Sequence, residues 1–492
     1  MSSVGPGLIG VPAGGRQVEV VSPQPQREAY AFSPIRTFAF SLGAAVVFLR
    51  VSMFHQTTTY LTHVNLRLLY VVGIPALAGV ILAGGIQSAF RGRPAVYWVG
   101  FTFWMILAVP FSAWKGGSTT LLLGYLRGDL TLLFIVGGLA LTWRECKVMM
   151  SAAALGTAAA VLCARIFTRE SSAGYRTGLE FGTVNDPNDF AAHLLFALPF
   201  LLWVVFTSRS TVLRAAAMVG IGVGLYSILG SASRGGLLGL IGAGLFLLWR
   251  GTTRQRIAFL LLAPVAALGL AIVVPPRALR RITTFSASGA SGPEAEEAIE
   301  SAEDRRYLLK TSITYAIQHP IVGVGPGQFA EYEGKHSLVV GGRRGMWRSA
   351  HNSFTCTAAE CGIPAFICYL AAIVSTFRLL SGVFREAQAR PGFGDIRATA
   401  FCIQMSMVGF CIAIFFLNFA YFFYLPMLSG LAIAVSAAAK EEFQFRGHAA
   451  WESGNIGTSA GAGWRAPTWT QPPASGGPTP APRMPLAYFS LQ

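Results

Sequence analysis

Three polar residues in an otherwise apolar chain have the types and settings that group-transfer chemistry needs. His351 lies in Arg348-Ser349-Ala350-His351-Asn352-Ser353-Phe354, where a long polar excursion from Pro275 to Ala350 gives way to an apolar helix. A histidine titrates near neutral pH and can take a proton from a hydroxyl or orient it; in the same place it could serve only as the neighbour of a helix cap. Arg234, in Ser231-Ala232-Ser233-Arg234-Gly235-Gly236, stands at a turn between two apolar helices. A guanidinium fork suits a phosphate or diphosphate, and the glycines let a ligand approach the backbone; snorkelling to the interface is the alternative. Arg305 lies four residues before Leu309, in phase with a stripe of Leu309, Ile313, Ala316 and Ile317, whereas Arg306 lines up with Lys310 and Thr314 on the polar face.

Weaker candidates surround these. In Asn185-Asp186-Pro187-Asn188-Asp189, two carboxylates three residues apart could hold a divalent metal or act as a base, although a turn leading into a helix cap explains the same letters. Tyr175 and Arg176, in the same connection, could help bind a sugar or phosphate. Glu360 lies within the helix that starts near His351 and is an unusual carboxylate for a membrane segment, so a basic partner inside the bundle is expected. Gly323-Val324-Gly325-Pro326-Gly327-Gln328-Phe329 lacks the register and lysine of a nucleotide loop and reads as mobile or close-packed backbone. His55, His63, His319 and His336 read as ordinary loop or interface histidines. The seven cysteines show no zinc spacing, and neither a metal nor a cofactor is expected.

The elements that must position these residues are membrane helices. Of 492 residues, 53% are hydrophobic and only 12% charged, with a mean hydropathy of +0.53; this is not the composition of a soluble domain. The apolar runs have the length of spanning helices, roughly 17 to 25 residues, and not the alternating pattern of a membrane barrel. The fold class is therefore an all-α polytopic membrane protein. About twelve spans are expected, near 37–54, 68–86, 95–114, 121–143, 146–166, 190–207, 213–231, 235–249, 256–274, 352–377, 398–418 and 421–438, with a large loop, 275–350, between the ninth and tenth. Residues 1–35 and 439–492, rich in Pro and Gly, read as disordered tails around a membrane domain of residues 36–438. No cleavable signal is expected, because a polar segment precedes the first span.

A net charge of +16 raises the question of a nucleic-acid partner. The basic residues are scattered between apolar segments and form no stripe with interleaved aromatics, so none is expected. Topology explains them better. Arg91 and Arg93, Arg144 and Lys147, Arg209 and Arg214, Arg250, Arg254 and Arg256, and Arg378, Arg385, Arg390 and Arg397 fall on alternate connections. These mark the cytoplasmic side, which puts both termini in the cytoplasm and loops 55–67, 168–189, 232–235 and 275–350 opposite. Within the large loop, the acidic run Glu294–Asp304 leads into Ser301-Ala302-Glu303-Asp304, a capping-box pattern that predicts a helix ended by Pro320.

Taken in order, Gly182-Thr183-Val184-Asn185-Asp186-Pro187-Asn188, Ser233-Arg234-Gly235-Gly236, Arg305 ahead of Pro320, Gly323–Phe329 and Ala350-His351-Asn352-Ser353 resemble the O-antigen ligase/polymerase superfamily over roughly residues 40–438. The ligases carry a His-Asn, His-Ser or His-Gln pair followed by Gly and then Gly, Thr or Tyr; here Gly362 follows His351-Asn352, but Ala365 holds the last place. Leu309 stands where an aromatic is usual after the loop arginine. The resemblance implies a GT-C-like glycosyltransferase of the bacterial inner membrane, without a metal, that moves a glycan from undecaprenyl diphosphate to an acceptor hydroxyl on the periplasmic face. The acceptor would be lipid A-core, another carrier-linked glycan, or protein. By the same resemblance Arg234 and Arg305 bind the diphosphate and His351 acts at the acceptor hydroxyl; Arg176, Asn188, Arg306, Asn352 and Glu360 are the further candidates for supporting roles. In-line attack would invert the anomeric centre. The partners implied are the lipid-linked donor, a lipid or glycan acceptor, and membrane lipids. The rival reading is a transporter or flippase for lipid-linked precursors, which should place ionisable groups near the bilayer midplane; apart from Glu360 the charges cluster at the outer ends of the helices.

Overall fold

The computed structural model describes residues 34–170, 176–283, 293–337 and 345–459. Both outermost tails, and Tyr175, lie outside them. The described helices are, in chain order, α1 Pro34–Ser52, α2 Phe54–Thr62, α3 Leu68–Leu82, α4 Gly85–Ala89, α5 Arg93–Ala108, α6 Lys115–Gly124, α7 Thr131–Leu139, α8 Trp143–Ile166, α9 Pro187–Thr207, α10 Thr211–Gly230, α11 Arg234–Arg250, α12 Thr253–Val273, α13 Pro276–Thr283, α14 Pro293–Gln318, α15 Phe329–His336, α16 Ser353–Ala389, α17 Gly394–Ala413 and α18 Tyr424–Ser459. A short antiparallel ribbon, β1 Thr168–Glu170 with β2 Thr177–Leu179, stands in the connection from α8 to α9.

This is an all-α polytopic membrane protein. Nine helices among the described residues are long and apolar enough to cross a membrane, fewer than the expected twelve. Helix α3 has 15 residues and α11 has 17. At about 1.5 Å per residue, 17 residues reach about 25 Å, short of a hydrocarbon core of about 30 Å. Helix α18 continues to Ser459, beyond position 439 where composition changes.

The bundle has a graded interior. From Phe190 to Leu201, α9 is buried on every side, as an apolar helix without a polar face must be. Helix α12 lies at the other extreme and buries no residue.

Connections collect at two ends. At one, Arg36 Nη2 pairs with Glu145 Oε1 at 2.7 Å, Trp143 Nε1 donates to Asp395 Oδ2, and Arg250 Nη1 donates to Ser381 Oγ and Gln404 Oε1. At the other, Tyr60 Oη donates to Glu180 Oε2, Arg176 Nε donates to the Ser231 carbonyl, and Ala232 packs with Val274, Ala278 and Ile282 of the large loop. The alternation read from basic residues thus corresponds to a physical segregation of the loops.

The large loop is mostly helical, comprising α13, α14 and α15. Helix α14 begins at Pro293 and not at Ser301, so the Ser301–Asp304 capping pattern lies inside it. Proline suits a first turn, and Glu296 and Glu297 complement the positive end of the helix dipole. Its buried face also differs from the expected stripe. Leu308, Ser312, Tyr315 and Ala316 turn inward, while Ile313 and Ile317 are exposed. Two side-chain contacts fix this phase: Ser312 Oγ donates to Thr355 Oγ1 at 2.8 Å, and Tyr315 packs on Phe329.

Helix α16 is broken at Gly362, whose φ of 84° only glycine adopts without strain, and Pro364 follows. The break removes the helical partners of two carbonyls. Pro364 has no N–H to offer Glu360, and the Ile363 N–H turns to the Pro320 carbonyl instead of Ala359. Val324 and Gly325 replace them, their N–H groups donating to the carbonyls of Ala359 and Glu360, each at 2.9 Å.

Candidate active site

Three helix N-termini carry the candidate residues, each held by a polar cap. Asp186 caps α9, its Oδ1 accepting from Asn188 N at 2.8 Å, with Pro187 in the first turn. Ser233 caps α11 by accepting from Gly236 N at 3.1 Å, which makes Arg234 the first helical residue. Asn352 caps α16, its Oδ1 accepting from Phe354 N and Thr355 N, and His351 immediately precedes it. A capped N-terminus presents the positive end of the helix dipole.

Helix α14 brings Arg305 to this place. Arg305 is partly buried, and among the described residues it makes no hydrogen bond or ion pair. Burial lowers its pKa to about 10; the charges of Arg234, Arg176 and Arg281 press in the same direction, and Asp186 opposes them. One guanidinium on the large loop therefore lies within electrostatic reach of three others from three separate segments. Arg281 is almost fully buried on α13, which the Ala232 packing seats against the turn before Arg234.

His351 lies in the same field. Burial lowers its pKa, Arg305 adds to the effect, and Asp186 counteracts it. The imidazole is thereby shifted toward its neutral form, and its ring makes no hydrogen bond among the described residues. The segment that delivers it is firmly held. Arg348 Nη1 pairs with Asp304 Oδ2 at 2.6 Å, next to Arg305, and the buried Glu333 accepts from Met346 N, Trp347 N and Tyr307 Oη. Ser353 Oγ donates to the Leu417 carbonyl at 2.7 Å and accepts from Phe419 N.

The fold thus brings Arg176, Arg234, Arg305 and His351 into one electrostatic neighbourhood. Asn188 and Asn352 take part in caps at its edge. Arg306 is exposed on the outward face of α14, apart from the cluster. Among the described residues Glu360 has no basic partner: its Oε2 accepts from Gly327 N at 2.9 Å and Tyr421 Oη at 2.6 Å, and its Oε1 from Phe329 N at 3.0 Å. It clamps the glycine-rich turn onto α16. That turn is close-packed, with Gly323, Gly325 and Gly327 all at positive φ. A Cβ at Gly323 would meet the Glu360 backbone.

Sequence reasoning missed Arg281, Asp186 as the carboxylate facing His351, and Glu333. Only Arg281 left a trace, in the short pattern Ala278-x-x-Arg281-Ile282 that gives one buried side to a helix. It also overlooked an ion pair inside the bundle, Arg50 Nη1 to Asp129 Oδ1 at 3.6 Å, beside a π-helical turn at Tyr125–Asp129.

Residues 219–370 match the family model described as O-antigen ligase. The match contains Arg234, Arg281, Arg305, the glycine turn, His351 and Glu360, and it places this stretch in the O-antigen ligase/polymerase superfamily. Arg176 and Asp186 lie before it. No curated protein matches the chain significantly.

Proposed function

With an O-antigen ligase domain as premise, we propose that the chain is an inner-membrane glycosyltransferase that moves a glycan from undecaprenyl diphosphate to an acceptor hydroxyl on the periplasmic face. The observation that supports this best is the approach of Arg176, Arg234 and Arg281 to Arg305, with His351, ahead of a capped helix N-terminus, in the same field. Such a place attracts a polyanion and offers a proton acceptor next to it.

In the reaction the acceptor hydroxyl attacks the anomeric carbon as the bond from that carbon to the diphosphate oxygen breaks. Charge grows on the leaving lipid diphosphate. Arg234 and Arg305 take up that charge as it grows. His351 accepts the hydroxyl proton from the opposite side, which makes the displacement in-line and inverts the anomeric centre. Glycan transfer by the purified protein in detergent, with no gradient and no second compartment, tests the reading against transport. Wild-type protein is expected to transfer labelled glycan, and Arg234→Ala and His351→Ala to lose about 100-fold or more. Near-normal transfer by either variant would remove that residue from the site, and absence of transfer by the wild type with lipid-linked donors would sink the enzyme reading.

A further inference from the structure

The donor reading uses Arg234 and Arg305 and leaves two guanidiniums without a task. Arg281 and Arg176 both direct Nη1 at one carboxylate oxygen, Glu297 Oε1, at 3.0 Å and 3.9 Å. The two sides of this contact are unequally rooted. The Arg281 side chain is 6% exposed and that of Arg176 12%, whereas that of Glu297 is 43% exposed. The arginines are the deeply buried partners, and the carboxylate is the one that already meets water.

A carboxylate oxygen between two guanidiniums occupies the place a phosphate oxygen takes in an arginine clamp. A diphosphate brings more negative charge and more acceptor atoms than a single carboxylate.

We propose that Arg176 and Arg281 form a second phosphate subsite for the donor diphosphate, and that Glu297 is the internal counter-ion which the incoming phosphate displaces. This rests on the reading of Arg234 and Arg305 as diphosphate ligands. In the empty enzyme Glu297 offsets the repulsion among the guanidiniums; on binding it leaves, and Arg281 and Arg176 exchange one anionic oxygen for another. Affinity for donor is then set by competition with a residue of the chain, which keeps the spent lipid diphosphate from being held too tightly.

The test measures binding of inorganic pyrophosphate and of polyprenyl diphosphate to the full-length protein in detergent, with thermal midpoints recorded in parallel. Glu297→Gln is expected to tighten both ligands about tenfold, and Arg281→Gln to weaken both by a similar factor. The double variant should bind no more tightly than Arg281→Gln alone. If Glu297→Gln binds equally or more weakly at an unchanged midpoint, the contact is merely a tie between α13 and α14 and the proposal fails. Should that variant not fold, Glu297→Asp, with the charge on a shorter stem, must give a smaller tightening in the same direction; no tightening overturns the proposal. Tightening of pyrophosphate alone would make this a free-phosphate site and remove it from the donor. If Arg234→Ala leaves both affinities intact, the diphosphate reading of Arg234 itself falls, independently of Glu297.

Discussion

His351 is held at φ 48°, in the left-handed region, at a cost of roughly 1–2 kcal/mol for a residue with a side chain. His351→Gly should therefore fold with a midpoint no lower than wild type yet transfer no glycan, and added imidazole should restore part of the rate. Failure of rescue in a well-folded variant would argue against proton acceptance at this position. The protonation state of His351 gives a second test. Its pKa is lowered, so the acid limb of the activity profile should lie below the ordinary histidine value of about 6.5. Arg348 contributes to the lowering, and its partner Asp304 works against it. Arg348→Gln removes the cation and frees the anion, and both changes favour the imidazolium; the limb should move to higher pH. A limb that stays in place would disconnect it from His351. Arg234, Arg305 and His351 stood out in the sequence because of residue type and setting. Arg281 left only the short pattern Ala278-x-x-Arg281-Ile282, and it is the packing of Ala278 and Ile282 that turns Arg281 inward and leaves Arg280 outside.

Among the elements, the broken helix α16 and the glycine turn behave as one piece. Glu360 was visible as a carboxylate in an apolar helix, and a basic partner was the natural expectation. Its partners are two backbone N–H groups and a tyrosine hydroxyl, which no sequence pattern can signal because every residue but proline has an N–H. Glu360→Ala leaves these buried donors without an acceptor, at about 1–3 kcal/mol each. It should lower the thermal midpoint markedly, and Glu360→Gln, which keeps one acceptor oxygen, should lower it less. A wild-type midpoint for Glu360→Ala would refute the clamp. Gly323→Ala tests the same junction from the other side, because φ 66° and contact with the Glu360 backbone both oppose a Cβ; a loss of at least about 2 kcal/mol is expected. The phase of α14 was misread for a related reason. Ile313 and Ile317 are exposed, and a serine and a tyrosine set the inward side through their contacts with Thr355 and Phe329, which an apolar stripe does not signal.

At the scale of the whole molecule, helix positions and the alternation of connections were legible because hydropathy and basic residues report on the surrounding medium. The number of full spans was not, since α3 and α11 are short and composition does not show how deep a helix sits. The proposed orientation makes a direct prediction. In a background without native cysteines, Lys335→Cys, on the site-bearing end, should react with a membrane-impermeant thiol reagent from the periplasmic side, and Arg209→Cys should react only after the inner membrane is opened. The reverse pattern would invert the topology and place the donor site in the cytoplasm. Helix α12 leads from the basic end to the large loop, and it buries none of its residues. Mutational tolerance should follow from that. Apart from Phe259 against Gly244 and the contacts of Gln255 and Arg256 at the helix start, little reads the side chains of Thr253–Val273, so selection can act there on little beyond length and hydropathy. Its central turns should accept replacement by a plain leucine-alanine span, while the equally apolar α9 should not; two stretches alike in composition would then drift at very different rates.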